Sequence, residues 1–136
     1  MTPSEVRNAI VQRYLDTYDG VHPIALDNQA FTPPESATNI VWTRVSVQFT
    51  SGEQDSLGNT GNRKFIKGGF LYIQVFTPFG HATNGNDSLA EASLNLFEGV
   101  RLNDLWFKDG RIVTVGEDGE WYQQNVVLEF EFEAIK

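Results

Sequence analysis

The sequence contains no cysteine, which excludes disulfide bonds, thiol-based catalysis and thiolate metal sites. It also lacks any apolar run of the ~20 residues that a membrane-spanning helix requires. No basic start and no apolar stretch follow Met1, so no secretory signal is predicted. We therefore expect a soluble protein that is made in a cytoplasm and has no membrane partner.

Basic residues are few: 10 Lys and Arg stand against 18 Asp and Glu, which gives a formal net charge of −8. A protein that grips nucleic acid by its phosphates should carry a basic face, so specific nucleic-acid binding is not expected. Between Ile112 and Ile135 there is no Lys or Arg at all. Glu129, Glu131 and Glu133 alternate in this span, so they should project from one face of a strand.

Residues that could carry out chemistry do not form a recognisable catalytic motif. There is neither a P-loop nor a nucleophile elbow. The two histidines, His22 and His81, lie in predicted loops, where a solvated role is more common than a catalytic one. Three glutamates in a row on one strand make an exposed stripe, whereas glycosidase carboxylates flank a cleft. We predict that the protein is not an enzyme and has no metal and no cofactor.

Two helices are expected within a single domain that spans residues 1–136. The first should run to about Tyr18, because Thr2, Pro3 and Glu5 form a helix-start signal ahead of an apolar stripe of helical period. A second helix should end at Gly99, with Asn86 as its predicted N-cap. Its apolar stripe consists of Leu89, Ala92, Leu96 and Phe97.

Four strands are predicted from alternating apolar residues: Ile40–Phe49, Lys64–Thr77, Arg111–Val115 and Trp121–Ala134. Residues 21–38 contain three of the five prolines and should form an irregular connection. The order is therefore α-β-β-α-β-β, an α+β two-layer domain with a mainly antiparallel four-stranded sheet and two helices. The second strand is apolar on both faces, which is typical of a strand that lies centrally or against a partner subunit.

Several segments, in this order, resemble a known family. The segment Asn28–Pro34 reads Asn-x-x-Phe-x-Pro-Pro, and a strand opens at Trp42–Val47. After a Gly- and Asn-rich loop, the strand Arg63–Val75 leads to a Pro-x-Gly turn at Pro78–Gly80. In this order and spacing the chain resembles the tail terminator-like proteins of long-tailed bacteriophages. The aromatic stretch Leu105–Gly110 has no counterpart in that pattern.

The resemblance implies a structural virion protein that forms a homo-hexameric ring at the head-proximal end of the tail and is assembled in the host cytoplasm. Such a ring caps the tail tube, stops its polymerisation and provides the surface for head-tail joining. Its partners would be itself, the tail tube protein and a head-completion or neck protein, while DNA passes through without specific binding. The alternatives are another neck or tail-tube component, or a small ligand-binding α+β domain.

Within such a ring, two surfaces are candidates for function. The polar segment Ser51–Arg63 is long for a connection between strands, and loops of this size are usually functional or mobile. We predict that it docks on the tail, through Asp55, Leu57, Asn59, Asn62 and Arg63. The stripe Glu129, Glu131 and Glu133 is predicted to face the DNA channel, because carboxylates repel the phosphate backbone instead of holding it.

Overall fold

The computed structural model describes residues 1–35, 40–80 and 84–136. These residues form two helices and six strands. In chain order the elements are α1 (Pro3–Tyr18), β1 (Ile24–Leu26), β2 (Trp42–Gln54), β3 (Lys64–Pro78), α2 (Asn84–Phe97), β4 (Arg101–Leu102), β5 (Leu105–Asp118) and β6 (Trp121–Ile135). His81 lies outside the described residues, as do 36–39 of the proline-rich connection.

All six strands belong to one sheet with the order β1-β2-β3-β6-β5-β4. Strand β1 runs parallel to β2, and every other neighbouring pair is antiparallel. The predicted α+β class is thus confirmed, whereas the four-stranded sheet and the order α-β-β-α-β-β are wrong. The two strands that were not predicted, β1 and β4, have three and two residues, too few to show an alternating pattern.

Helix α1 begins where its sequence predicts. The Thr2 hydroxyl accepts a hydrogen bond from the Glu5 backbone N–H at 3.2 Å, which satisfies one of the free amides of the first turn. Val6, Ile10 and Tyr14 recur on one face and are fully buried. The Arg13 side chain donates to the backbone carbonyl of Leu96 at 2.9 Å and so ties α1 to the end of α2.

The main core lies between the helices and one face of the sheet. Leu71, Ile73 and Val75 of β3 point into it and are fully buried. The last strand contributes the alternating residues Val126, Leu128, Phe130 and Phe132 to the same core. Burial of this face removes the largest apolar side chains from water, and each contributes about 1.5–3 kcal/mol.

The opposite face of the sheet, which we call the open face, has no helix on it among the described residues. It carries a smaller aromatic cluster, in which Trp42 stacks on Phe76 with ring centroids 4.0 Å apart and Trp121 meets Trp42 edge-on. Phe70 and Tyr72 lie further along the same face of β3 and remain partly exposed. The prediction that β3 is apolar on both faces is therefore confirmed.

The predicted bounds of two strands, and of the loop after the first of them, are wrong. The strand predicted at Arg111–Val115 runs from Leu105 to Asp118. Strand β2 continues to Gln54, because the residues after a bulge between Phe49 and Ser51 still pair with β3. The loop is therefore shorter, residues 55–63. Asp109-Gly110, which reads as a turn, lies inside β5, where a bulge between Phe107 and Gly110 absorbs the extra residues.

The predicted cap residue Asn86 is also misplaced. It lies inside α2, which begins at Asn84, and its side chain is fully buried. The side-chain amide donates to three oxygens of the sheet: the carbonyls of Val75 and Tyr122 and the hydroxyl of Thr77. Asn86 thus anchors the start of α2 on β3 and β6 and does not cap the helix.

Candidate assembly surfaces

The loop of residues 55–63 is closed at its base and open at its tip. The backbone N–H groups of Asp55 and Ser56 both donate to the Lys64 carbonyl, at 2.8 and 3.3 Å. Leu57 follows directly and is 94% exposed. Leu57 therefore packs against nothing in the isolated chain. It is the one large apolar side chain of an otherwise polar loop.

The other predicted docking residues are distributed around this tip. The Asn62 N–H donates to the Asn59 carbonyl at 2.9 Å and closes a short turn. Arg63 donates from Nε to the backbone oxygen of Lys136 at 3.1 Å. The Asp55 carboxylate lies 3.4 Å from the Lys64 ammonium. Asp55 and Arg63 therefore hold the loop ends, and Leu57, Asn59 and Asn62 form the part that extends away from the sheet.

The three glutamates of β6 lie on the open face, and two lysines sit among them. Lys108 contacts Glu131 at 2.6 Å and Glu129 at 3.8 Å, and Lys64 contacts Glu133 at 3.2 Å. The hydrogen bond to Glu131 raises the pKa of Lys108. The stripe that the sequence shows as purely acidic is therefore paired with two lysines, and each of its three carboxylates contacts one of them.

A cluster of cations that sequence reasoning missed surrounds Phe65 at the start of β3. Arg63, Lys67 and Lys136 each place their charge 5.2–5.8 Å from the centre of this ring. The neighbouring Lys67 ammonium lowers the pKa of Lys136. Lys136 is distant from the other two in sequence, and only the pairing of Lys64 with Ile135 brings them together.

The described histidine, His22, is a structural residue. Its Nε2 lies 3.0 Å from the Thr43 hydroxyl and 3.2 Å from the Tyr14 hydroxyl. Burial lowers the pKa of His22 and raises that of Tyr14 to about 12. The hydrogen bond from Tyr14 to Thr43, at 2.8 Å, joins α1 to β2, so the group fastens the helix to the sheet.

Metal sites and membrane-spanning helices are absent from the part of the chain that the structure describes. No cluster of three or more His, Asp or Glu side chains there could hold a metal ion. No helix there is long and apolar enough to cross a membrane. Two surface depressions of about 390 Å³ each lie beside the start of α1 and between α1 and Leu96.

Comparison with known proteins decides the family. A family model described as phage tail terminator protein matches residues 5–125. The chain belongs to this family. One solved structure of 18% sequence identity superposes with a TM-score of 0.73, and the match covers 100% of this chain and 99% of the other. At that identity the likeness shows a shared fold. No curated protein sequence matches the chain.

Membership of the phage tail terminator family confirms the resemblance drawn from the sequence, and with it a structural role in a bacteriophage tail. The predicted motif order thus led to the right family, although the strand count was wrong. The docking loop and the glutamate stripe stay predictions about how a family member with these side chains works.

Proposed function

We propose that the protein forms a ring at the head-proximal end of the phage tail. The ring caps the tail tube, stops its polymerisation and offers the surface to which the head-completion or neck protein binds. DNA passes through the ring without specific binding. The observation that carries this proposal is the family match over residues 5–125.

The surface of the chain supports an assembly role. The open face of the sheet carries partly exposed Phe70 and Tyr72, and the loop tip presents Leu57 at 94% exposure. Exposed apolar side chains rimmed by charge are typical of protein-protein contacts. These two surfaces are available for contacts with other proteins of the tail.

Tail length in phage lacking the protein tests the proposal. Without a terminator, tubes should grow to variable and excessive lengths, and purified protein added during assembly should restore one length. Electron microscopy measures the length distribution and, with a labelled chain, the position of the protein. Label along the whole tube would identify a tube subunit instead. Label at the head with normal tube length in the deletion would identify another neck component.

The loop prediction can be tested with one substitution. Leu57→Asp should weaken binding to tail-tube ends about tenfold or more, because an unpaired carboxylate buried in the contact costs more than the ~1.4 kcal/mol that corresponds to tenfold. The thermal midpoint should not change, since Leu57 is exposed. Binding is measured by co-sedimentation with tubes.

Val21→Asp is a matched control, because Val21 is also exposed, at 69%, and lies beyond the far end of α1 from the loop. It should bind tubes normally. Equal binding by the Leu57 and Val21 variants would remove the loop tip from the docking surface.

The stripe prediction concerns DNA ejection. Changing Glu129, Glu131 and Glu133 together to lysine would place five lysines on one patch of the open face, with Lys64 and Lys108. If the stripe lines the channel, phosphates should bind this patch and ejection should slow several-fold. The matched change to glutamine removes the negative charge without adding a cation, so it should slow ejection much less. Ejection kinetics from purified virions measure both, and unchanged kinetics in the lysine variant would remove the stripe from the channel.

A further inference from the structure

Most of the outer edge of β5 has no neighbouring strand among the described residues. Strand β4 pairs only with Leu105 and Trp106, although β5 continues to Asp118. The N–H of Phe107 still donates to the Val100 carbonyl at 2.9 Å. From Lys108 to Asp118 no described strand lies beside this edge of β5.

Hydrogen-bonding groups on this edge are open to a partner. The Gly110 N–H points away from β6, since it donates to the Glu98 carboxylate at 2.7 Å. Residues of an antiparallel strand alternate between its two neighbours. The N–H and C=O groups of Ile112 and Thr114 must therefore also point outward, where no described residue accepts or donates.

The side chains on this edge are apolar on both faces. Ile112, Val113 and Val115 are 37%, 39% and 50% exposed. Natural proteins protect free edges with lysine, proline or inward-pointing charge, and residues 112–116 contain none of these. A β-branched edge of this kind is a template for another strand.

The sheet ends on its other side in a second free edge. Strand β1 pairs with β2 only at Thr43–Val45, and the Asp27 carboxylate accepts the Val47 N–H at 3.0 Å. From Phe49 to Gln54 no described residue pairs with the outer side of β2. Phe49 is 37% exposed, and the residues after it are exposed as well.

The two edges match in direction and in face. Because β2, β3, β6 and β5 are successively antiparallel, β5 runs opposite to β2. Arg111 pairs with Val127, and Val127 pairs with Tyr72, whose side chain lies on the open face. Glu53 pairs with Ile66 of β3. Ile66 and Tyr72 are six residues apart on β3, and residues an even number apart on a strand share a face. Arg111 and Glu53 thus lie on the same face, both exposed, and neither has an ion-pair partner among the described residues.

We propose that the outer edge of β5 pairs antiparallel with the β2 edge of a second copy, with Arg111 of one copy opposite Glu53 of the next. The inference rests on the proposed ring and adds to it the contact that closes it. Because the two edges are different surfaces of the chain, the contact is head-to-tail, the kind that generates rings. Each contact makes the sheets of neighbouring copies continuous.

Charge exchange tests the contact. Arg111→Glu and Glu53→Arg should each weaken self-association about tenfold or more, since like charges would face each other across the edge. The double variant should recover most of the loss. Asp16→Arg makes the same charge change as Glu53→Arg at an exposed residue on the solvent side of α1, and should associate normally. Native mass spectrometry over a concentration series measures association, and the thermal midpoint of each variant checks that it is folded.

Hydrogen exchange separates the edge contact from the ring itself. In the assembled wild-type protein the amides of Ile112 and Thr114 should exchange more than tenfold more slowly than in monomer. If the wild type assembles while these amides stay unprotected, or if the double variant shows no rescue, the edge contact is wrong and the ring stands. If the full chain stays monomeric at every concentration and with tube ends added, both proposals fail.

Discussion

Gly69→Ala should lower the free energy of unfolding by about 3 kcal/mol, the upper end of the usual range for overpacking, since the backbone of β2 admits little relaxation. A β-carbon at Gly69 would overlap the carbonyl oxygen of Gln48 and lie 2.8 Å from Cζ of Phe130. Both neighbours are fixed, the first because it belongs to β2 and the second because it is fully buried. The substitution must push β2 away from β3 next to the bulge at Phe49/Ser51.

Urea denaturation followed by circular dichroism measures the effect. Gly85→Ala is the matched control, because nothing lies within 4 Å of a β-carbon there and alanine favours a helix. That variant should be as stable as the wild type or more stable by up to about 1 kcal/mol. A Gly69 variant as stable as the Gly85 variant would show that β2 and β3 are not packed as described.

Asn86→Asp is expected to cost about 3 kcal/mol or more, as burial of an unmatched charge does. The Asn86 amide donates to the carbonyls of Val75 and Tyr122 at 3.3 and 3.1 Å. In the variant a carboxylate oxygen would take the place of the amide N–H group. It cannot donate a hydrogen bond to these carbonyls, and its negative charge would repel them. A negative charge in the first turn of a helix gains at most about 1 kcal/mol, so the loss should dominate.

Asn8→Asp controls for the chemical change, since Asn8 is an exposed residue in the interior of α1, away from both helix ends. It should alter stability by less than about 0.5 kcal/mol. Thermal unfolding at neutral pH compares the two variants. Equal midpoints would mean that Asn86 does not anchor α2 on the sheet.

Sequence patterns correctly predicted the helices and strands that bury only one face and whose ends carry capping or turn residues. Helix α1 was predicted at its observed ends because Thr2 caps it and its apolar stripe has helical period. Strand β6 was predicted within one residue of its end, because Phe130 and Phe132 alternate with glutamates that face away from the core. In these segments local preference and tertiary packing agree.

The predicted strand Arg111–Val115 is shorter than β5, because the sequence at the bulge of β5 resembles a turn. Asp109-Gly110 is a common turn pair, yet Gly110 is required here for a different reason. A β-carbon at Gly110 would come within 2.8 Å of the side chains of Leu94 and Leu128, so a larger residue would push against α2 and β6 at this point. The local sequence does not distinguish a glycine that turns the chain from one that makes room for a helix.

The assembly surfaces could be predicted only in part. Alternation placed Glu129, Glu131 and Glu133 on one outward face, but the lysines between them come from β5 and from the start of β3. The free edge of β5 could not be read from the sequence, because it depends on β4 ending after two residues. Which strand lies at an edge is decided by pairing between distant segments.

The position of β6 in the sheet has a consequence for synthesis. This strand is the most C-terminal of the six, yet it lies between β3 and β5 and pairs with both along most of its length. Until it leaves the ribosome, the β2–β3 ribbon and the α2–β5 segment have no strand to join them. Folding must then pair β3 with a strand whose residues lie 43 to 71 positions further along the chain, which is slow and leaves apolar strands uncovered meanwhile. Chains that stop before Trp121 should therefore be cleared by proteolysis before any of them can enter an assembling tail.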